Sequence, residues 1–253
     1  MDQKTWVITG ASGGIGRCLV KYLVKHNQLV YGLDVNKEGL TLLTEEVQNQ
    51  LFKPVTCNLG YQAQLDAAIS IIKKQSKSID VLVHNAVLHQ KGMLETSFDE
   101  MSFGLQVNVV APMYLTKMLT PIFSFDASVI HILSTRASQS QIHSENYAAA
   151  KGALSSLTHA MMMTLSGKAR VNAVAPGWID TSNCDIDTHT FTKTDHLQHP
   201  SKRIGAPIDI IKAIMYLADP QNSFVNGQII TVDGGMSKTM IYHNDHGWSY
   251  HSK

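Results

Sequence analysis

Tyr147 and Lys151 stand four residues apart in the segment SENYAAAKGAL, residues 144–154. On a helix that spacing puts both side chains on one face, a single turn apart. A phenol ordinarily titrates near pH 10. Exchanging its proton near neutrality takes roughly 4 kcal/mol of preferential stabilisation of the phenolate. Lys151 supplies part of that as an adjacent cation. An isolated Tyr-x-x-x-Lys is an ordinary surface pair, so its neighbours decide what it is for. Ser134 closes the apolar run SVIHILS (128–134), thirteen residues before Tyr147. A hydroxyl at a strand end can polarise a carbonyl. Asn108 sits inside the apolar stretch LQVNVVAP. An amide there is unfavourable unless it bonds backbone, water or a partner.

A second constellation stands near the start of the chain. WVITGASGGIG, residues 6–16, is an apolar run that breaks into glycines and hands over to the helical pattern RCLVKYLVKH. Gly10, Gly14 and Gly16 between a strand and a helix let the chain turn tightly and bring backbone close to a pyrophosphate. The helix N-terminus then offers free N–H groups and the positive end of its dipole. The next strand-like run ends at Asp34, eighteen positions after Gly16. A carboxylate there accepts hydrogen bonds from ribose hydroxyls and repels a 2′-phosphate. Gly13 and Val35 bring no positive charge to greet such a phosphate. These residues favour NAD over NADP.

The elements that must position these groups follow from periodicity. Strand-like runs at 5–10, 29–34, 54–59, 79–85, 128–134, 170–176 and 228–234 alternate with helical patterns at 14–26, 37–50, 62–77, 98–123, 145–165 and 207–218. Several of the runs are apolar throughout, the mark of strands covered on both faces. The rhythm predicts an α/β fold, a Rossmann-like doubly wound parallel sheet of about seven strands with helices on both faces, in one domain spanning 1–253. Residues 180–204 form a long polar connection, and 236–253 a tail rich in His, Tyr and Lys.

Composition removes several classes. The 253 residues are 44% hydrophobic with a net charge of +1, which leaves no electrostatic footprint for nucleic acid or an acidic membrane. No run of about 18 apolar residues predicts a transmembrane helix. No basic segment leads into an apolar stretch at the N-terminus, so no signal peptide is expected and the chain reads as cytoplasmic. Cys18, Cys57 and Cys184 lie far apart with no paired spacing, so reduced thiols are expected rather than a disulfide or a cysteine zinc site. His243, His246 and His251 in the tail fit no compact metal-ligand motif, and no metal is expected.

Taken together, residues 4 to about 236 resemble the short-chain dehydrogenase/reductase family in its common branch of about this length. TGASGGIG resembles the family's cofactor turn, HNA (84–86) its Asn-Asn-Ala-Gly segment, PGWIDT (176–181) its Pro-Gly turn beside the nicotinamide, and VDGG (232–235) its closing strand. Asn108, Ser134, Tyr147 and Lys151 match its catalytic tetrad. The resemblance implies hydride transfer between a substrate carbon and a nicotinamide. Tyr147 would be the general acid/base. Lys151 would lower its pKa and hold the nicotinamide ribose. Ser134 would orient the substrate oxygen, and Asn108 would keep a water in a proton relay. The cofactor would lie along Gly10, Ser12, Gly13, Gly14, Ile15 and Gly16, with Asp34, Asn58 and Leu59 at the adenosine end. Asn85 and Ala86 would sit near the adenine-side ribose. Pro176, Gly177, Ile179 and Thr181 would contact the nicotinamide.

Some positions depart from that pattern. Asn58 stands where the family usually has Asp against the adenine, Val87 replaces the Gly of Asn-Asn-Ala-Gly, and His84 its first Asn. The resemblance places substrate against the loop after Ser134 and the segment after the Pro-Gly turn. Both are polar here, and Arg136, Gln139, Gln141, His143 and Trp178 are the candidates to face substrate. A small polar carbonyl or hydroxyl compound fits them. Residues 182–202 are long enough for a lid. The family commonly forms tetramers, and a homotetramer or dimer is expected, with the aromatic tail docking at its own or a neighbouring subunit. Two other readings stay open: a 3-oxoacyl-thioester reductase using NADP, against which Asp34 speaks, and a catalytically silent dinucleotide-binding sensor, against which the intact tetrad speaks.

Overall fold

The computed structural model describes residues 3–186, 191–249 and 251. In chain order the elements are β1 (Thr5–Thr9), α1 (Gly14–Lys25), β2 (Leu29–Asp34), α2 (Lys37–Val47), β3 (Phe52–Thr56), α3 (Gln62–Gln75), β4 (Ile79–His84), α4 (Phe98–Leu105), α5 (Ala111–Leu119), β5 (Phe123–Ile132), α6 (Glu145–Thr164), β6 (Ala169–Pro176), α7 (Lys193–Leu197), α8 (Pro207–Ala218) and β7 (Ile229–Val232). Among the described residues one sheet forms, in the order β3-β2-β1-β4-β5-β6-β7. All its pairings are parallel. The doubly wound sheet is the one the periodicity predicts.

Alternation along each strand builds two cores. In β1, Trp6 and Ile8 point into one cluster, where α1 contributes Leu19 and Leu23 and α8 contributes Ile210 and Ile214. Val7 points the other way, into a cluster holding Ile69 and Ile72 of α3 and Leu115 and Leu119 of α5. Successive strand residues face opposite sides of the sheet, so a strand buried on both must be apolar throughout. Each such Leu or Ile contributes about 1.5–3 kcal/mol by leaving water. The chain winds outward in both directions from the junction of β1 and β4. Carboxyl ends of strands diverge there and leave a crevice.

Three details differ from the sequence reading. The single helix expected at 98–123 is two helices joined by a π-turn over Gln106–Val110, in which the Ala111 N–H donates to the Gln106 carbonyl. A π-turn inserts one extra residue, a device that periodicity does not register. The polar connection at 180–204 contains α7, begun by a capping box in which Thr192 and Asp195 each accept from the other's backbone N–H. Residues 187–190 of the expected lid, and 250, 252 and 253 of the tail, lie outside the described residues.

The third difference is a correction. Cys18 and Cys184 are joined as a disulfide, with their Cα atoms 5.2 Å apart, and not left as separate reduced thiols. They are 166 residues apart in sequence, so no spacing signalled them. The fold brings the second turn of α1 against the connection after β6. Cys57 is the free and buried cysteine. Among the described residues no helix is long and apolar enough to cross a membrane.

Candidate active site

The crevice at the strand ends is a cleft of about 560 Å³. It brings together Gly10, Ser12, Gly13, Gly14, Ile15, Asp34, Asn85 and Ala86 from the first half of the chain. From the second half it takes Ser134, Tyr147, Lys151, Pro176, Gly177, Ile179 and Thr181. Residues separated by more than a hundred positions in sequence meet here because β1, β4, β5 and β6 are neighbours.

The glycine turn is held by its surroundings. Gly10 adopts φ +68°, a left-handed conformation that other residues resist. A Cβ on Gly16 would stand 2.0 Å from the Gly10 carbonyl oxygen, so helix and turn pack too closely for any side chain. A Cβ on Gly13 would meet nothing within 4 Å, which leaves open space over the first N–H groups of α1. The N-cap of α1, Gly13, makes no side-chain hydrogen bond, so those donors stay available to an anion. A pyrophosphate fits this cradle.

Asn85 fixes the turn from below. Its Nδ2 donates to the carbonyls of Thr9 (3.1 Å) and Gly10 (3.0 Å). Thr9 Oγ1 accepts in return from the N–H groups of Asn85 and Ala86, both at 3.1 Å. Asp34 is tied in as well: one oxygen accepts from the Ser12 N–H and the other from the Asn36 N–H, each at 2.9 Å. Each oxygen keeps a lone pair free for a ribose hydroxyl. Asn58 and Leu59 line a smaller cavity adjoining Asp34, Ala86 and Val87, and Asn58 Oδ1 accepts from the Gly60 N–H at 2.9 Å.

At the other end stand the groups able to move a proton. Tyr147 and Lys151 lie one turn apart on α6, and the Lys151 Nζ is 5.5 Å from the centre of the Tyr147 ring. Lys151 is buried, and its Nζ donates to the Ile132 carbonyl at 2.7 Å. Burial pushes its pKa down to about 8. Ser134 Oγ accepts from the Arg136 N–H at 3.2 Å, which leaves its own proton free to donate into the cleft. A hydroxyl, a phenol and a buried ammonium around one space beside an anion cradle suit proton exchange with a substrate oxygen.

Comparison with known proteins agrees with this geometry. Residues 10–237 match the sequence profile of the family described as enoyl-(acyl carrier protein) reductase. The chain belongs to the short-chain dehydrogenase/reductase family. This reductase-family chain is 31% identical to an uncharacterised oxidoreductase of Thermotoga maritima, over 96% of its own length and 99% of the relative's. It is 29% identical to the 3-oxoacyl-[acyl-carrier-protein] reductase of the same organism, over 93% and 98%. Among solved structures it is similar to an apo SCOR enzyme from Clostridium thermocellum, with a TM-score of 0.88, 32% identity and complete coverage of both chains. The family's members are oxidoreductases that bind nicotinamide dinucleotides.

Not every residue singled out from the sequence of this short-chain dehydrogenase/reductase lines the cleft. Asn108 lies behind it: Oδ1 accepts from the Leu88 N–H at 2.7 Å and Nδ2 donates to the Leu88 carbonyl at 3.0 Å. Gln141 accepts from the Arg136 guanidinium. His143 has φ +58° and packs against Gly92, away from the lining. Gln139 is exposed. Trp178 is 41% exposed and sets its ring against Phe191 and His199 rather than into the cleft.

The structure also adds residues. His89 lines the cleft and stacks on Tyr147, with ring centres 5.2 Å apart and planes within 9°. Burial, then the charges of Lys151 and Arg136, hold its pKa below the ordinary histidine value. A polar His directly after the apolar VL of HNAVLHQ was the available signal. Beneath the cleft, His84 and His131 face each other across β4 and β5 at 5.3 Å. His84 Nε2 pairs with Thr116 Oγ1 at 2.8 Å and His131 Nδ1 with Thr158 Oγ1 at 3.0 Å. Burial lowers the pKa of both, that of His131 to about 4 with the Lys151 charge adding to the effect.

Proposed function

We propose that this short-chain dehydrogenase/reductase interconverts a small polar alcohol and its carbonyl, using NAD, with Tyr147 as general acid/base. The convergence of Tyr147, Lys151 and Ser134 on the end of the cleft opposite Asp34 carries the reading. A bound nicotinamide supplies the hydride acceptor in one direction and the donor in the other. The chain does the rest. Ser134 donates a hydrogen bond to the substrate oxygen. In oxidation Tyr147, as phenolate, takes the hydroxyl proton, while the substrate C–H hydrogen leaves as hydride. In reduction Tyr147 returns that proton to the oxygen. The Lys151 ammonium stabilises the phenolate, and its remaining N–H groups would hold a ribose hydroxyl. Positioning and fixed charge, rather than covalent chemistry, supply the acceleration.

NAD is preferred because the Asp34 carboxylate lines the cleft, where it pairs with hydroxyls and repels a phosphate. Initial rates with NAD and NADP over polyols, sugars, hydroxy acids, alcohols and steroids test the reading, with Tyr147→Phe as control. Turnover with NAD that disappears in Tyr147→Phe is the expected result. A second reading, NADP-dependent reduction of a 3-oxoacyl thioester, has the Thermotoga maritima reductase in its favour. NADP preference together with thioester reduction would replace the first reading by the second.

The segment after Thr181 serves as a lid in this reading, and the enzyme works in the cytoplasm as a dimer or homotetramer. Exposed apolar side chains on α4, α5 and α6 support assembly: Phe98 is 82% exposed and Met163 70%. Light scattering that finds a monomer at working concentration would remove that part. The tail, with Met240 75% exposed, docks at a subunit contact, and truncation after Lys238 should weaken assembly.

A further inference from the structure

The rim over Tyr147 is positively charged, and the charge is not answered. The guanidinium carbon of Arg136 stands 5.6 Å from the centre of the Tyr147 ring, and Lys151 Nζ approaches the same ring at 5.5 Å. His89 stacks against it. Arg136 is half-buried, and its guanidinium donates to the neutral amide oxygen of Gln141. Among the described residues no carboxylate lies within 4 Å of its guanidinium.

Nearby carboxylates are engaged elsewhere. Glu145 accepts from the Met93 N–H at 3.1 Å, Glu95 faces Lys91 at 3.7 Å, and Glu100 closes the capping box of α4 on Ser97. Asp34 is the one carboxylate among the residues lining the cleft, and it stands at the adenosine end. A guanidinium that has given up part of its water for a neutral partner gains most from an anion. Its rigid fork of donors matches a carboxylate in two parallel hydrogen bonds. His89, kept neutral by its surroundings, adds a hydrogen-bonding group to the rim without adding charge.

We propose that the substrate is a carboxylic acid, a short hydroxy acid or sugar acid with the corresponding oxo acid, whose carboxylate is held by Arg136 and contacted by His89 while its carbinol carbon lies beside Tyr147. This rests on the oxidoreductase reading and narrows it. Neutral polyols and simple alcohols leave Arg136 without a charged partner, and amines are repelled.

Two measurements decide it. The first reads binding without turnover, on enzyme saturated with NADH so that the anion cradle at α1 is filled. Malonate is titrated against its neutral isostere malonamide, following the melting temperature. Malonate should stabilise the complex in a saturable way and malonamide should not. Arg136→Gln should weaken malonate about 30-fold, the loss of one charge-assisted pair. No stabilisation by malonate, or an equal effect in Arg136→Gln, overturns the inference. The second compares kcat/KM for matched acids and amides: lactate with lactamide, 3-hydroxybutyrate with its amide, gluconate with gluconamide. The acid should be favoured at least about tenfold in one pair, with the ratio collapsing in Arg136→Gln and partly kept in Arg136→Lys. A wild-type preference for the amides overturns it. Failure of the underlying reading looks different: turnover that survives Tyr147→Phe, or none with any compound, while the malonate titration still decides the role of Arg136.

Discussion

Asn108 holds both backbone groups of Leu88, accepting from its N–H at 2.7 Å and donating to its carbonyl at 3.0 Å. Leu88 sits between Val87 and His89, which both line the cleft. The π-turn at Gln106–Val110 is what carries the amide there. Asn108 thus acts on the site as a positioning residue, by fixing the chain that carries His89. Asn108→Ala leaves a donor and an acceptor without partners and should cost about 2–3 kcal/mol in urea unfolding. Asn108→Asp sets a carboxylate against the Leu88 carbonyl and should cost more. Both should raise the KM for NAD, since Val87 shifts with Leu88. Wild-type stability in Asn108→Ala would sink this account.

In the proposed reaction the ammonium of Lys151 supports the Tyr147 phenolate, and burial brings the Lys151 pKa down to about 8. It is charged below that pH and loses its charge above it. Carbonyl reduction should therefore fall away as pH rises past about 8. Lys151→Arg keeps its charge throughout this range and should move the fall to higher pH, at whatever rate its altered shape permits. Lys151→Met should lower kcat about 10²–10³-fold with a smaller change in substrate KM. A reduction profile that is flat to pH 10 in the wild type would contradict the assignment.

His131 is fully buried with a pKa of about 4, and His84 beside it is lowered as well. Unfolded histidines bind protons below about 6.5, whereas these remain neutral in the fold. The unfolded chain therefore takes up more protons as pH falls, and stability is full above 6.5 and drains away between 6.5 and 4. His131 alone should account for about 3 kcal/mol across that window. His131→Gln keeps a partner for Thr158 and removes the titration, so its unfolding free energy should fall less steeply from pH 7 to pH 5. Parallel slopes in the two proteins would rule the histidine out as the cause.

Most of the fold was legible because two-faced burial forces unbroken apolar strands, and such runs stand out without any tertiary information. The glycine turn, Tyr147, Lys151 and Ser134 were legible for a related reason. Each lies just after the carboxyl end of a strand or in the first two turns of a helix, and the doubly wound topology sends those regions to one crevice. What stayed hidden depends on contacts between distant segments. Asn108 carries no sign in its own neighbourhood that it will clasp Leu88. His89 looks like a loop histidine until α6 brings Tyr147 against it. Gln141 and His143 share a polar loop, and only the turn at His143, with φ +58°, decides that one meets Arg136 and the other meets Gly92. Cysteine spacing misled for the same reason.

The Cys18–Cys184 disulfide ties α1 to the connection that follows Thr181. Gly13, Gly14 and Thr181, which also line the main cleft, lie along a second cavity with both cysteines. Reducing the bond should act on stability and on cofactor affinity together. A crosslink spanning 166 residues restricts the unfolded chain strongly, and its loss should cost about 2–4 kcal/mol. The paired substitution Cys18→Ala with Cys184→Ala should reproduce that cost, remove the response to dithiothreitol, and raise the KM for NAD as the connection loosens from α1. Thiol titration of the denatured, unreduced protein should find Cys57 alone, and all three cysteines after reduction. Three reactive thiols without reductant would show that the bond is not formed in the purified enzyme.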